Sequence, residues 1–216
     1  MKRNLFLFLM LIPLALSPSL RADQLSFQGN FPADDYVKTF DFSLAAPGVV
    51  TLQTFSYAGG TNGAGSTITA GGFDPVLTLF DGMGNFVISN NDGPCGTVGK
   101  DATTLNCFDA YLSLSLEAGA YTVALTENDN LAVGPTLADS FTQVGNGNFT
   151  CPEFMGSPGA FCDASPSQRN SAWALDVVTP DTSPDTSPVP EPASGVLLLS
   201  GIGLFFVLRT YSENWR

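Results

Sequence analysis

Alternating apolar and polar residues, without sustained helical periodicity, constrain the fold of this chain more than any other feature. The clearest stretch is Tyr111–Leu116, in which Leu112, Leu114 and Leu116 fall on one face of an extended strand. Six further segments are strand-like, at residues 36–44, 50–57, 76–80, 86–88, 121–125 and 172–178. Glycine, proline, asparagine and aspartate separate them, which predicts about eight strands in an all-β, antiparallel β-sandwich of jelly-roll type.

Two of these segments and one turn carry more specific predictions. Residues 76–80 are apolar on both faces, as expected for a strand in the middle of a sandwich. The turn at residues 117–119 between two alternating segments predicts a β-hairpin. In the last segment, Trp173, Leu175 and Val177 point to one side and are predicted to lie in the core.

The first 22 residues have the organisation of a secretory signal peptide. Lys2 and Arg3 form a basic start, residues 5–16 are apolar, and Ala22 offers a small residue at a plausible cleavage point. Cleavage after Ser17 and an uncleaved anchor helix stay open as alternatives. We predict an exported protein.

The last 28 residues combine a proline-rich box, an apolar run and a basic end. The box is Val189, Pro190, Glu191 and Pro192, and Arg209 follows the apolar residues 193–208. About 16 residues make a helix of roughly 24 Å, which is short for a bilayer core of about 30 Å. We therefore predict a single C-terminal transmembrane helix that holds the chain temporarily, with its basic end in the cytoplasm.

This tail resembles the PEP-CTERM sorting signal, which a membrane-embedded enzyme of the exosortase type reads in bacteria. The resemblance implies an exosortase as partner and a sorting role, not a catalytic one, for the box and Arg209. It implies a precursor tethered to the inner membrane, then a protein at the cell surface or in the extracellular matrix of a Gram-negative-type bacterium. It also implies an export route tied to exopolysaccharide. Residues 210–215 interrupt the tight arginine cluster that usually ends the family's tail.

A second resemblance lies in the exported part. Residues 74–81 (DPVLTLFD), 90–93 (NNDG) and 116–123 (LEAGAYTV) are similar to motifs of the bacterial pre-peptidase C-terminal-like domain. The likeness spans roughly residues 36–178 and implies a non-catalytic β-sandwich that is accessory to adhesion or polymer binding.

The predicted organisation has four parts. Residues 1–22 are a signal peptide, 23–178 a β-sandwich ectodomain, 179–188 a linker, and 189–216 the sorting and anchor segment. The linker repeats Asp-Thr-Ser-Pro, a proline spacing that favours an extended, semi-rigid polyproline II spacer.

The exported part is strongly acidic. Its cationic residues are Lys38, Lys100 and Arg169, against 18 carboxylates, for a net charge of about −15. Such a charge repels phosphate backbones, which excludes nucleic acid as a partner.

Four cysteines, Cys95, Cys107, Cys151 and Cys162, allow three disulfide pairings. We predict the two local ones, Cys95 with Cys107 and Cys151 with Cys162, because each closes a loop rich in glycine, proline and asparagine. The alternative is a site of four metal-bound thiolates, but zinc sites usually place paired cysteines two to four residues apart. Export favours disulfides.

The chain has no histidine, which removes Ser-His-Asp and Cys-His catalysis and the usual zinc and copper sites. A carboxylate-based hydrolase needs only two acids at a suitable separation. Glu117 is predicted in a turn, and Glu127 and Glu153 in polar loops, so no pair is singled out. We predict no enzymatic activity.

Calcium is the one cofactor that the sequence suggests. Oxygen-bearing side chains are concentrated at residues 90–92 and 127–130, and such oxygens are the ligands that calcium takes in proteins. The candidate ligands are Asp74, Asp81, Asn91, Asp92, Asn128 and Asp129. The alternative is that these residues merely form solvated turns, since asparagine and aspartate suit turns by themselves.

Carbohydrate binding would require exposed aromatic side chains, and Tyr57 and Tyr111 are the best candidates. We predict a non-catalytic exported surface or matrix protein associated with exopolysaccharide. The alternatives are a calcium-dependent polysaccharide-binding module and a carboxylate-based hydrolase. Aromatic side chains in a groove would favour the binding module, and two inward carboxyls about 5 to 9 Å apart in a cleft would favour the hydrolase. A featureless acidic surface would favour the matrix protein.

Overall fold

The structure is a computed structural model that describes residues 22–180. Predictions for residues 1–21 and 181–216, which include the signal peptide, the sorting box and the membrane helix, lie outside the described residues. Its elements are β1 (Ala22–Asn30), β2 (Lys38–Leu44), β3 (Gly48–Thr54), β4 (Gly60–Thr61), β5 (Thr67–Ile68), β6 (Pro75–Asp81), β7 (Phe86–Asn90), β8 (Tyr111–Leu116), β9 (Gly119–Glu127), a 3-10 helix (Leu137–Asp139), α1 (Thr150–Met155), β10 (Cys162–Asp163), β11 (Ser167–Gln168) and β12 (Ala172–Pro180). Across residues 22–180, no helix is long and apolar enough to span a bilayer.

Eight of the strands build a sandwich of two four-stranded antiparallel sheets. Sheet 1 has the order β1-β12-β3-β8 and sheet 2 the order β2-β9-β6-β7. The pairs β1·β12, β2·β9, β3·β8 and β6·β7 are nested along the chain and alternate between the sheets. A long antiparallel hairpin rolled up on itself produces this jelly-roll order. The predicted all-β antiparallel sandwich is confirmed.

The core between the sheets comes from the alternating residues of the sequence. Phe40, Phe42 and Leu44 of β2 face Trp173, Leu175 and Val177 of β12 within one apolar cluster. β6 is buried on both faces, as predicted: Leu77 and Leu79 belong to the inner cluster, and Phe80 packs with Ala124 and Phe141 on the outer side. Burying each large apolar side chain contributes about 1.5–3 kcal/mol.

The predicted hairpin between β8 and β9 is wrong. β8 pairs with β3 in sheet 1, whereas β9 lies between β2 and β6 in sheet 2. The turn at residues 117–119 therefore carries the chain across the sandwich. Leu112 and Leu116 reach the core from one sheet, and Tyr121 and Val123 reach it from the other. Alternation identifies both strands but does not say which partners they choose.

β1 was not among the predicted strands. Its nine residues pair in register with β12, and Gly29 lies opposite Trp173. As an edge strand it leaves Leu25 exposed and Phe27 only half-buried, so its apolar alternation is weak. β12 itself continues through Thr179 and Pro180, two residues into the segment predicted as linker.

Both predicted disulfides are present, Cys95–Cys107 and Cys151–Cys162. The first closes part of the long loop between β7 and β8, and the second ties α1 to β10. A bridge over a loop of this size contributes about 3 kcal/mol in the chain-entropy account. The two bridges therefore fix loops that would otherwise be costly to order.

Candidate functional site

One end of the sandwich holds six buried carboxylates, which we call the carboxylate cluster. They lie in the loops and strand ends around the starts of β2, β6, β8 and β12 and the end of β9. No member is more than 3% exposed: Asp34, Asp74, Asp101, Asp109, Glu127 and Asp163. Buried acids need hydrogen-bond donors or cations, so the partners of each one decide what the cluster can do.

Asp109 is held by four donors from one short stretch of chain, the end of β3 and the three residues 56–58 after it. Thr54 Oγ1 donates to it at 2.9 Å, and the backbone N–H groups of Ser56, Tyr57 and Ala58 donate at 2.6, 3.2 and 2.8 Å. Burial raises the pKa of Asp109, although these donors pull it down. The carboxylate thus fixes the path of the chain after β3.

Asp34 and Asp163 have similar anchoring roles. Asp34 accepts hydrogen bonds from the backbone of Asn148 and from the backbone and hydroxyl of Thr150. Asp163 accepts from the Tyr57 hydroxyl, the Ser167 hydroxyl and the Ser165 backbone. Thr150 and Asp163 adjoin Cys151 and Cys162, so the second disulfide and these two acids order the same loop.

Arg169 is the one buried cation between residues 22 and 180. Its Nη2 lies 3.6 Å from Asp101 and donates to the Tyr57 carbonyl at 2.7 Å, while Nε donates to the Gly72 carbonyl at 3.0 Å. The guanidinium also lies 3.7 Å from the centre of the Tyr57 ring. Burial alone would raise the pKa of Asp101, but hydrogen bonds from Thr104 and the charge of Arg169 outweigh it and lower that pKa.

Asp74 and Glu127 differ from the other acids because they lack partners. Both carboxylate oxygens of Glu127 and Oδ1 of Asp74 are buried without a hydrogen bond, and so is Oδ1 of Asn91. Burial, with the nearby charge of Asp92, raises the pKa of Asp74 to about 9. Burial, with the charge of Asp74, raises the pKa of Glu127 well above its usual range.

Four of the six predicted calcium ligands lie together at this end of sheet 2. Asn91 Nδ2 donates to Asn128 Oδ1 at 3.1 Å, and the Asn128 N–H donates to the Asp74 carbonyl at 2.8 Å. Asp92 follows Asn91 and is the first charge neighbour of Asp74. These residues come from the end of β7, the end of β9 and the start of β6.

Of the other two predicted ligands, Asp81 lies elsewhere and Asp129 directly follows Asn128. Asp81 ends β6 at the far end of the sandwich, where it accepts hydrogen bonds from Met83 and Asn85 that close the β6–β7 turn. The Asn85 bonds lower the pKa of Asp81. Asp129 has a left-handed backbone conformation with φ of 66°; its N–H donates to Asn128 Oδ1 at 2.9 Å, and its carbonyl accepts from the Thr142 hydroxyl at 2.6 Å. Grouping Asp81 with Asp74 was wrong because β6 separates them.

Glu127 is the functional candidate that sequence reasoning misplaced. It was predicted in a polar loop but is the last residue of β9 and is fully buried. Its signal was present: Tyr121, Val123 and Leu125 face the core, and Glu127 continues the same alternation. In the described part of the chain, no three acid, cysteine or histidine side chains form a metal site by themselves. A cation here would therefore also use amide, main-chain or water oxygens.

A second candidate site is an open groove of about 660 Å³ between the edge strands β1 and β2. Its aromatic lining includes Phe27, Phe31, Tyr36, Phe40 and Trp173, and Gln28, Asn30 and Lys38 add polar groups. None of its described lining residues is aspartate or glutamate.

The aromatic rings of the groove form a connected set. The Phe27 and Phe40 ring centres are 4.6 Å apart, and Phe40 and Trp173 are 5.5 Å apart. Trp173 is buried, as predicted, and forms the floor, whereas Tyr36 is 42% exposed at the rim. A Cβ on Gly29 would lie 2.9 Å from Trp173, so this glycine lets the indole lie against the strand.

The two tyrosines predicted as exposed sugar contacts are not in this groove. Tyr57 is fully buried in the carboxylate cluster, which contradicts its predicted exposure. Tyr111 is half-buried on β8, the opposite edge of sheet 1. The exposed aromatic of the groove is Tyr36, which precedes β2 and which sequence reasoning passed over.

The fold and the two sites define a disulfide-stapled all-β domain with an open aromatic groove. Beyond the described residues, positions 188–209 match the family model of the PEP-CTERM protein-sorting motif. The predicted sorting tail is thereby confirmed. Such a motif marks an exported protein that an exosortase processes at the membrane and that is bound for the cell surface.

A comparison with curated proteins finds no match. Among solved structures, the chain is similar to the pre-peptidase C-terminal domain of collagenase from Bacillus anthracis. The identity is 8%, the match covers 71% of this chain and 88% of that domain, and the TM-score is 0.35. The neighbour is of the domain type that the sequence motifs resemble.

Proposed function

We propose that this chain is a non-catalytic surface protein that is associated with exopolysaccharide and binds it in the groove between β1 and β2. The precursor is held at the inner membrane through its PEP-CTERM tail, and the processed domain works at the cell surface or in the extracellular matrix of a Gram-negative-type bacterium. The observation that carries the binding proposal is the open groove with aromatic and uncharged polar groups on its lining.

The chemistry of the groove supports a sugar polymer as its ligand. The C–H faces of a pyranose ring stack on aromatic faces, which Tyr36 and Phe27 offer at the rim. Gln28 and Asn30 are exposed and carry donors and acceptors for sugar hydroxyls. Lys38, whose Nζ lies 5.6 Å from the centre of the Phe40 ring, adds one cation to the lining.

The same geometry argues against the carboxylate-based hydrolase. A glycosidase places two acids on either side of the bond that it cleaves. The groove offers no acid among its described lining residues, and Asp74 and Glu127, two of the acids whose pKa values are raised, are sealed in the interior. A polymer bound in the groove would therefore be held without being cut.

We expect the purified chain, kept in solution with a mild detergent, to co-sediment with the host's exopolysaccharide. Tyr36→Ala removes the exposed ring and should weaken binding about tenfold, since an aromatic contact is worth about 1 kcal/mol beyond its buried area. Tyr111→Ala, a tyrosine on the far edge strand, should bind like the wild type.

Two results would contradict the binding proposal. One is the absence of pelleting by the wild-type chain, which would leave a surface protein with another partner. The other is an equal loss in both tyrosine variants, which would indicate a general effect on folding. Circular dichroism of each variant separates the second case from a loss of contact.

The sorting proposal has its own test in the native host. Replacing Pro190, Glu191 and Pro192 by alanine should leave the uncleaved chain in the membrane fraction, because the box is the part of the matched motif that the processing enzyme is proposed to read. Immunoblots of membrane and extracellular fractions measure this. Normal processing of the variant would show that the box is not needed.

A further inference from the structure

The carboxylate cluster contains more acids than its protein partners satisfy. Asp34, Asp109 and Asp163 are satisfied by hydrogen-bond donors, and Asp101 has both donors and Arg169. The hydrogen bonds that Arg169 donates go to the carbonyls of Tyr57 and Gly72 and not to these acids. No donor among the described residues reaches Oδ1 of Asp74 or either carboxylate oxygen of Glu127.

Four of the buried atoms without a hydrogen-bond partner are carboxylate or amide oxygens from neighbouring strand ends of sheet 2. They are Oε1 and Oε2 of Glu127, Oδ1 of Asp74 and Oδ1 of Asn91. Glu127 is opposite Pro75 in the β6·β9 ladder, one residue from Asp74, and Asn91 follows the last residue of β7. Asn91 Nδ2 donates to the side chain of Asn128, the residue after Glu127, at 3.1 Å, and the Asn128 N–H donates to the Asp74 carbonyl at 2.8 Å, so the three residues lie together at these strand ends.

Buried polar oxygens without partners are rare in folded proteins, and buried charges are normally paired or bound to a metal. Both carboxylate oxygens of Glu127 are without a partner, and the side chain is fully buried. This observation is independent of the number of acids in the cluster. A small cation that takes several oxygen ligands at once would satisfy all of these atoms together.

We propose that Glu127 and Asp74, with the amide oxygen of Asn91, bind one Ca²⁺ where β9, β6 and β7 meet at the end of sheet 2. Calcium takes six to eight oxygens from carboxylates, amides, carbonyls and water. The ligand set contains no sulfur or nitrogen, because all four cysteines are in disulfides and the chain has no histidine. Softer metals such as zinc and copper are therefore disfavoured.

Calcium also fits better than magnesium. Both oxygens of Glu127 are free, as in a bidentate carboxylate, and bidentate carboxylates suit the larger ion. Magnesium prefers near-ideal octahedral geometry and keeps several of its waters, which a fully buried glutamate leaves little room for. The exposed Asp92 next to Asn91 adds negative potential on the outer side.

The bound ion would act on folding and not on polymer binding. It would connect the ends of three adjacent strands of sheet 2 and neutralise the acids that the surrounding loops enclose. The groove between β1 and β2 contains none of the proposed ligands. The calcium proposal and the polysaccharide proposal can therefore fail independently.

The test measures calcium binding and thermal unfolding of the purified full chain at pH 7.5. Isothermal titration should show one Ca²⁺ per chain, and calcium at about 100 times its Kd should raise Tm by roughly 5–10 °C over the chelated sample. Glu127→Gln keeps the shape of the side chain but loses the charge, and should abolish both signals. Glu117→Gln, an exposed glutamate before β9, is the matched control and should keep both.

Asp74→Asn provides a second variant in case Glu127→Gln does not fold, and it should weaken calcium binding at least tenfold. The proposal is overturned if the wild-type chain shows neither binding heat nor a shift in Tm with calcium. In that case the two carboxyls are neutral through bound protons. An equal shift with magnesium would overturn the choice of calcium, and unchanged binding in both variants would place the ion elsewhere.

Discussion

Arg169→Met is expected to destabilise the domain by about 3–5 kcal/mol, which is the usual cost of removing one partner of a buried ion pair. The variant leaves Asp101 without its cation and the carbonyls of Tyr57 and Gly72 without their donors. It also removes the cation from the face of the Tyr57 ring. Because the free energy of unfolding of natural proteins is only about 5–15 kcal/mol, this one change should remove a large share of it.

Urea denaturation at pH 7, in calcium, measures the effect. Lys100→Met is the matched control because it makes the same change of charge at an exposed position. The control should change the free energy of unfolding by no more than about 0.5 kcal/mol. If the two variants differ by less than 1 kcal/mol, Arg169 is not the cation that balances the cluster.

This expected effect follows from how the end of the sandwich is built. Long loops without regular structure leave many backbone N–H groups to satisfy, and here buried acids do so. Asp109 collects three backbone N–H groups of residues 56–58, and Asp34 collects those of Asn148 and Thr150. Each acid orders a loop but also adds a negative charge to the interior. The positive charge of Arg169 is therefore needed to balance these acids.

The strands were predictable where one face is buried and the other is exposed to solvent. β2 and β8 show this alternation clearly, and β6 was recognisable because it is apolar on both faces. β1 was not, since an edge strand that lines a groove keeps polar and small residues such as Gln28 and Gly29 in its pattern. The turn after β8 was misread because a tight turn looks the same whether it joins two paired strands or crosses between sheets.

The sites were predictable only in part. The Asn/Asp-rich turns pointed to Asp74, Asn91, Asp92 and Asn128, because oxygen-rich residues near strand ends can be recognised in a sequence. The burial of Glu127 could not be read from composition, since other loops enclose it and their path depends on both disulfides and on Asp34 and Asp163. The same enclosure buries Tyr57, which a tyrosine in a polar stretch would not suggest.

The calcium-free protein is expected to lose stability as the pH rises from about 4 to about 9. The pKa of Asp74 is about 9 in the folded chain against a usual value of 3.8, so the folded state keeps a proton that the unfolded state releases. Stability then falls with increasing pH throughout that window, by up to about 1.4 kcal/mol per pH unit for each such group. Glu127 and Asp109, whose pKa values are also raised, act in the same direction.

The neighbours of these groups set the size of the effect but not its sign. The charges of Asp92, Asp163 and Asp109 raise the pKa of Asp74 further, and Arg169 opposes them. Asp101 and Asp81 have lowered pKa values, so the stability that they contribute is lost only as the pH falls below about 4. Between pH 5 and pH 8 the raised groups therefore dominate, and the free energy of unfolding should drop by at least about 2 kcal/mol.

Urea denaturation at several pH values, with the divalent cations removed, measures this slope. Asp74→Asn should flatten it, because the amide stays neutral at every pH, while the exposed Glu117→Gln should not. Saturating calcium should also flatten or reverse it, since an ion that takes the place of the protons binds better once they have left. Stability that increases from pH 5 to pH 8 without calcium would mean that Asp74 and Glu127 are ionised in the folded protein, and that some other positive group already faces them.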